Sequence, residues 1–205
     1  MPAIKSGQSY QDEKFEKVML EAGEKLTGEF FECTFIDCSF SGAVLENCRF
    51  NTCVFRDCDL SLVNISGTSF PSTRFENVKM IGVNWTSGDW NSLGIGTPPV
   101  FINCVLNHGT FIGVDLKHTR MVDCIAREVD FREADLSGVV FGRTDFSGSI
   151  FHNTDLSEAD LSQASGYSID PGVNLLKGGK FSLPEALALL YSMDIVLGGD
   201  TDPEW

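Results

Sequence analysis

Seven cysteines, three histidines and numerous serines are the residues of this chain that could do chemistry. Clustered thiols hold zinc or close disulfides, imidazoles bind metal or move protons, and a serine beside a base attacks carbonyls. The spacing supports none of these. The cysteines, Cys33, Cys38, Cys48, Cys53, Cys58, Cys104 and Cys124, are odd in number and contain no CxxC pair. No serine stands in a GxSxG elbow. The cysteine positions belong instead to a repeat, and the repeat decides which elements position everything else.

The period is five. From Phe30 a large apolar residue recurs without a miss through Phe35, Phe40, Leu45, Phe50, Phe55, Leu60, Ile65, Phe70, Phe75, Met80 and Trp85. The phase then slips by one, and a second series runs from Phe101 through Leu106, Phe111, Leu116, Met121, Ala126, Phe131, Leu136, Phe141, Phe146, Phe151 and Leu156 to Leu161. Two residues before each centre stands a small or β-branched residue, and all seven cysteines fall there. Two inward positions in every five fit neither a helix nor an alternating strand, so each quintet is a short extended stretch followed by a turn.

This pattern resembles the pentapeptide-repeat family, most clearly in Glu133-Ala134-Asp135-Leu136-Ser137 and Glu158-Ala159-Asp160-Leu161-Ser162. The resemblance implies an all-β fold, a right-handed quadrilateral β-helix with four quintets per coil and coils about 4.8 Å apart. The boundaries expected are an N-terminal cap over 1–29, the β-helix over 30–165 with an irregular segment at 86–100, and a C-terminal helix and tail over 166–205. An axis filled with Phe and Leu leaves no buried ligand cavity. On that fold Cys33 and Cys53 stack with parallel side chains, and packing accounts for all seven cysteines as reduced, buried small hydrophobes. His108 and His118 fall on opposite faces and His152 on a third, so they do not converge on a metal. No catalytic residue, metal or cofactor is expected, and the protein is read as a non-enzyme.

Charge points to a partner. Asp and Glu number 29 against 15 Lys and Arg, a formal net charge of −14, which disfavours nucleic acid and anionic membranes and favours a basic surface. Asp115, Asp135 and Asp155 each precede a central leucine at intervals of twenty, a vertical ladder on one face, while Asp130, Asp145 and Asp160 decorate others. Asp also closes turns and keeps a solenoid soluble, so both roles stand open. The opening residues are too charged for a signal peptide and no apolar run reaches a membrane span, which places the protein in the cytoplasm.

From Thr86 to Val100 the quintet pattern fails, and a single inserted residue would account for the slip as readily as a loop. Trp90 there is a candidate partner contact. At the C-terminus Ser182-Leu183-Pro184-Glu185 reads as a capping box opening a helix with Leu183, Leu187, Leu190 and Met193 on one face, followed by the short apolar strand Ile195-Val196-Leu197. These residues form either a plug for the last coil or a twofold contact.

The run KMIGVNWTSGDW, the segment EVDFREADLSG and the ending YSID followed by KFSLPEALALLYSMDIVL resemble the branch of the family that protects DNA gyrase from topoisomerase poisons, including Qnr, MfpA, McbG and, most closely, the albicidin-resistance protein AlbG. The resemblance implies a homodimer joined through the C-terminal helix, with Leu183, Leu187, Leu190, Met193, Ile195 and Leu197 at the contact. It also implies an acidic rod that imitates duplex DNA on the basic saddle of gyrase, with topoisomerase IV as a further target. A generic acidic scaffold without a gyrase partner is the alternative, because fold alone does not choose a function.

Overall fold

The computed structural model describes residues 4–90, 96–196 and 198. Each quintet turns its central residue and the one two before it inward, and a turn residue with positive φ, such as Asp37 at 51° or Glu133 at 59°, swings the chain to the next face. Four quintets close a coil, so each rung meets its neighbour 20 residues on, as Asn77 meets Asp57.

All named strands pair in parallel. Face one carries β1 (Gln8–Gln11), β4 (Gly28–Phe31) and β7 (Arg49–Asn51). Face two is a six-stranded sheet of β2 (Lys14–Glu16), β5 (Thr34–Ile36), β8 (Val54–Arg56), β9 (Arg74–Glu76), β10 (Val100–Ile102) and β11 (Arg120–Val122). Face four holds β3 (Lys25–Leu26) and β6 (Val44–Leu45), and single bridges such as Ser39↔Asp59 and Asp59↔Lys79 link the rungs of face three. The bridges continue past Leu161, through Asp155↔Leu175 and Asp160↔Lys180.

The axis is a column of stacked rings. Phe35 lies 4.5 Å from Phe55 at an interplanar angle of 8°, and Phe30 lies 4.7 Å from Phe50 at 9°. Across the coil, neighbouring faces meet edge to face, as in Phe50 against Phe55 at 69°. Both arrangements suit the ring quadrupole, so the column gains from geometry as well as from burial.

One coil is longer than the rest. Asp89 N–H still donates to Thr68 O in the old register, but Ser72 N–H donates to Thr97 O and Arg74 pairs with Val100. Asn103 meets Asn77 at an interval of 26, six residues beyond the normal rung. Of the two readings left open for this segment, the single inserted residue is excluded: six extra residues enter face one between Asp89 and Thr97. The insertion takes in 91–95, outside the described residues.

The C-terminal segment also departs from expectation. The Leu183–Pro184 peptide is cis, a 3-10 turn spans Glu185–Leu187, and α1 is the single turn Ala188–Tyr191. Pro184 stands at the N-cap with no side-chain hydrogen bond, so the capping box is not formed. Ile195 and Val196 form no strand, and Leu197 lies outside the described residues. What fixes α1 is the last coil: Ala188 and Leu189 pack on the core, and Ser192 Oγ donates to Ile169 O at 2.8 Å.

Candidate partner-binding surface

Turn chemistry explains why aspartate stands before so many central residues. One carboxylate oxygen accepts the N–H two residues on: Asp115 from Lys117 at 3.1 Å, Asp135 from Ser137 at 3.1 Å and Asp155 from Ser157 at 2.9 Å. Asp130, Asp145 and Asp160 accept likewise from Arg132, Ser147 and Ser162. The residue type thus satisfies the backbone first, and the second oxygen is left to the surface.

Surroundings then divide the six. Asp115, Asp135 and Asp155 are bridged rung to rung on face one. The other three lie on other faces, each matched with its own cation: Asp130 with Arg132 at 2.6 Å, Asp145 with Arg127 at 2.7 Å and Asp160 with Lys180 at 3.8 Å. On the ladder one ammonium serves two carboxylates, Lys117 lying 3.3 Å from Asp115 and 3.1 Å from Asp135. Asp155 has no ion-pair partner among the described residues. On face one, therefore, three stacked carboxylates share a single cation. Carboxylates spaced at about 4.8 Å repel by roughly 1 kcal/mol in water, which the hydrophobic column offsets.

Titration follows the same division. The Arg132 guanidinium holds Asp130 below the usual carboxylate range, and Ser162, with Lys180 helping, does so for Asp160. Burial pushes Asp135 up, but the Ser137 hydroxyl and N–H with Lys117 prevail and lower it. Lys117 is raised by Asp135 and Asp115. The compensating arginines escaped the sequence reading. Arg143 on Asp123 is an interval of 20, a signal that the coil length makes readable, whereas Arg127 on Asp145 spans 18 and depends on how the side chain lies along the surface.

Trp90 is not the exposed side chain its glycine-rich setting suggests. It is half-buried, its Nε1–H donates to Trp85 O at 2.7 Å, and its ring lies 6.1 Å from that of Trp85. At the far end Leu183, Tyr191, Met193, Ile195 and Val196 are each exposed, Val196 at 92%, while Leu187 and Leu190 are half-buried. His108 pairs with Glu128 at 3.2 Å. Among the described residues no group of three or more His, Cys, Asp or Glu side chains is placed to hold a metal, and no helix is long and apolar enough to cross a membrane.

Two family models match the chain, the pentapeptide repeat region over residues 28–97 and pentapeptide repeats (8 copies) over 127–163. Full-length QnrB1, a plasmid-mediated fluoroquinolone resistance protein, is similar over 91% of this chain and 100% of its own, with a TM-score of 0.69 at 19% identity. HetL, a pentapeptide repeat protein involved in heterocyst differentiation regulation from the cyanobacterium Nostoc, is similar over 86% of this chain and 87% of its own, with a TM-score of 0.54 at 18% identity. No match is found among curated proteins. At these identities the likeness to the solved structures is one of fold, and it agrees with the matched repeat regions and the 20-residue coil: the chain belongs to the pentapeptide-repeat family.

Proposed function

We propose that this protein binds DNA gyrase as a narrow acidic rod and protects it from a topoisomerase poison. The Asp115, Asp135 and Asp155 ladder carries the reading. It is a regular column of carboxylates on one face with one shared cation, whereas Asp130, Asp145 and Asp160 on the other faces each have a cation of their own. A basic groove shaped for DNA phosphates would meet such a column with complementary potential. The resemblance of the C-terminal ending to the gyrase-protecting branch supports the choice of partner, and albicidin-like poisons are the first drug class to try. Topoisomerase IV, which presents similar chemistry, is a second target.

The same reading makes the protein a homodimer. Leu183, Tyr191, Met193, Ile195 and Val196 are each exposed in the C-terminal segment, where a twofold contact would join two rods tail to tail. Gyrase supercoiling, titrated with the protein in the presence and absence of albicidin or a fluoroquinolone, tests the proposal. Supercoiling restored in the presence of drug supports it. No protection and no inhibition at large protein excess would leave the second reading, an acidic scaffold for another basic partner, which the shared fold of HetL favours.

A further inference from the structure

Of the sixteen phenylalanines, Phe31 alone has no ring contact among the described residues; the rest meet another ring along the axis or, for Phe181, at Tyr167. It follows the central Phe30 and so faces outward on face one, half-buried in β4. Strand register sets Gln11 on the rung before it and Asn51 on the rung after. With Glu32 and Thr52, these side chains line an open groove of about 290 Å³.

The walls specify the occupant. Rungs lie about 4.8 Å apart, so an amide stands one rung above the ring and another one rung below it. Thr52 Oγ–H donates to Asn51 Oδ1 at 3.0 Å, which holds that amide in place and leaves its oxygen a second lone pair. Glu32 is exposed and has no ion-pair partner among the described residues, and no cationic side chain among them lines the groove. An aromatic face attracts cations, while a carboxylate and two amide oxygens accept hydrogen bonds. A guanidinium answers all of these: it is flat enough to lie on a ring, always charged, and carries five N–H donors at its edge. An ammonium has the charge without the flat face or the donor fork. Pockets for whole small molecules run from roughly 300 to 1,000 Å³, so this groove suits one side chain of a larger partner.

We propose that Phe31, flanked by Gln11 and Asn51 and backed by Glu32, seats one arginine side chain of a basic protein partner. The guanidinium lies on the ring face, with its edge toward the amides and the carboxylate. The inference rests on the reading of face one as the surface that meets a basic partner. It adds a second kind of contact on that face, in the N-terminal half of the rod, where the aspartate ladder occupies the C-terminal half.

The test is NMR titration of the full chain with acetyl-Gly-Arg-Gly-amide, and with the same peptide carrying lysine or the uncharged isostere citrulline in place of arginine. The arginine peptide should saturate, its δ-methylene protons should move upfield over the ring, and the other two peptides should bind several-fold more weakly. Phe31→Leu should raise the dissociation constant about three-fold, the size of an exposed cation–π contact, and abolish the upfield shift. Glu32→Gln, at an exposed turn with φ of 55°, should also weaken binding, so the test does not hang on how well Phe31→Leu folds. Asp135→Asn, on the ladder, should leave the upfield shift as it is. Equal binding of the arginine and lysine peptides, or an upfield shift that survives Phe31→Leu, overturns the proposal. Free arginine binding more tightly than the peptide would make the groove a metabolite site and overturn it as a partner contact. Gyrase separates the pocket from the reading it rests on. Arginine binding that needs Phe31, in a chain that does not bind gyrase, keeps the pocket and discards that partner; gyrase protection without arginine binding keeps the partner and discards the pocket.

Discussion

An ammonium placed between two carboxylates weakens the field of both, and Lys117 does so for Asp115 and Asp135. Its side chain is not needed for the turn, because the bond that closes it comes from the Lys117 backbone N–H. Lys117→Ala should therefore leave the fold intact and strengthen binding to a basic partner several-fold at low salt, with Asp155→Asn weakening it. Isothermal titration against gyrase reads both. Equal affinity in wild type and Lys117→Ala would show that face one is not the surface used. Acid acts on the same residues in a defined direction. Asp130, Asp135, Asp145 and Asp160 are all held below the usual carboxylate range. Depressed folded values mean that their stabilisation is fully present above the unfolded value of about 3.9 and is lost as pH falls through the lower folded values. The melting temperature should stay flat from neutrality to about pH 5 and decline below about pH 4. Asp130→Asn should reduce that decline by a small amount, since exposed ion pairs are individually weak.

At the scale of the element, each rung is held by the ones above and below, so damage in one quintet spreads to its neighbours. Phe55 is clamped between Phe35 at 4.5 Å and Phe75 at 5.2 Å and meets Phe50 and Phe40 edge on. Phe55→Ala should cost about 3–5 kcal/mol, read as a lower denaturant midpoint. Hydrogen exchange should quicken in β5, β8 and β9 first, and uniform exchange throughout the rod would contradict a nearest-neighbour solenoid. The column was legible from sequence because one residue in five must be large and apolar, and Phe35, Phe55 and Phe75 announce it. The length of the irregular coil was not. A period of five registers only the remainder when the phase shifts, so six extra residues look like one; the 20-residue coil, visible in pairing, gives the true count. The aspartate ladder was legible for the same reason as the column, being fixed by position and interval. Its cations were not, because Lys117 and Arg127 reach their partners through flexible side chains that no backbone period constrains. The C-terminal capping box failed because Pro184, without an N–H, took the cap position of a segment only two short turns long.

At the scale of the whole molecule, a net charge of −14 and an apolar end act together. Joined tail to tail, two chains would present two acidic ladders on one rod, and the second contact would become intramolecular once the first has formed. Met193 and Ile195 are 50% and 41% exposed, and an aspartate at either position would put charge into the contact. Ile195→Asp should sediment as a monomer with an unchanged melting transition of the solenoid, and should protect gyrase only at higher concentration. A dimer that survives both substitutions would move the contact elsewhere. Charge complementarity makes a further demand that hydrophobic docking does not. Between about 0.1 M and 1 M salt the Debye length falls from about 10 Å to about 3 Å, less than the spacing of adjacent carboxylates on the ladder. Affinity for gyrase should therefore drop steeply over that range while the dimer, held by apolar side chains, persists or tightens. Sedimentation and titration across the same salt series separate the two, and partner binding that is indifferent to salt would rule out the acidic ladder as its source.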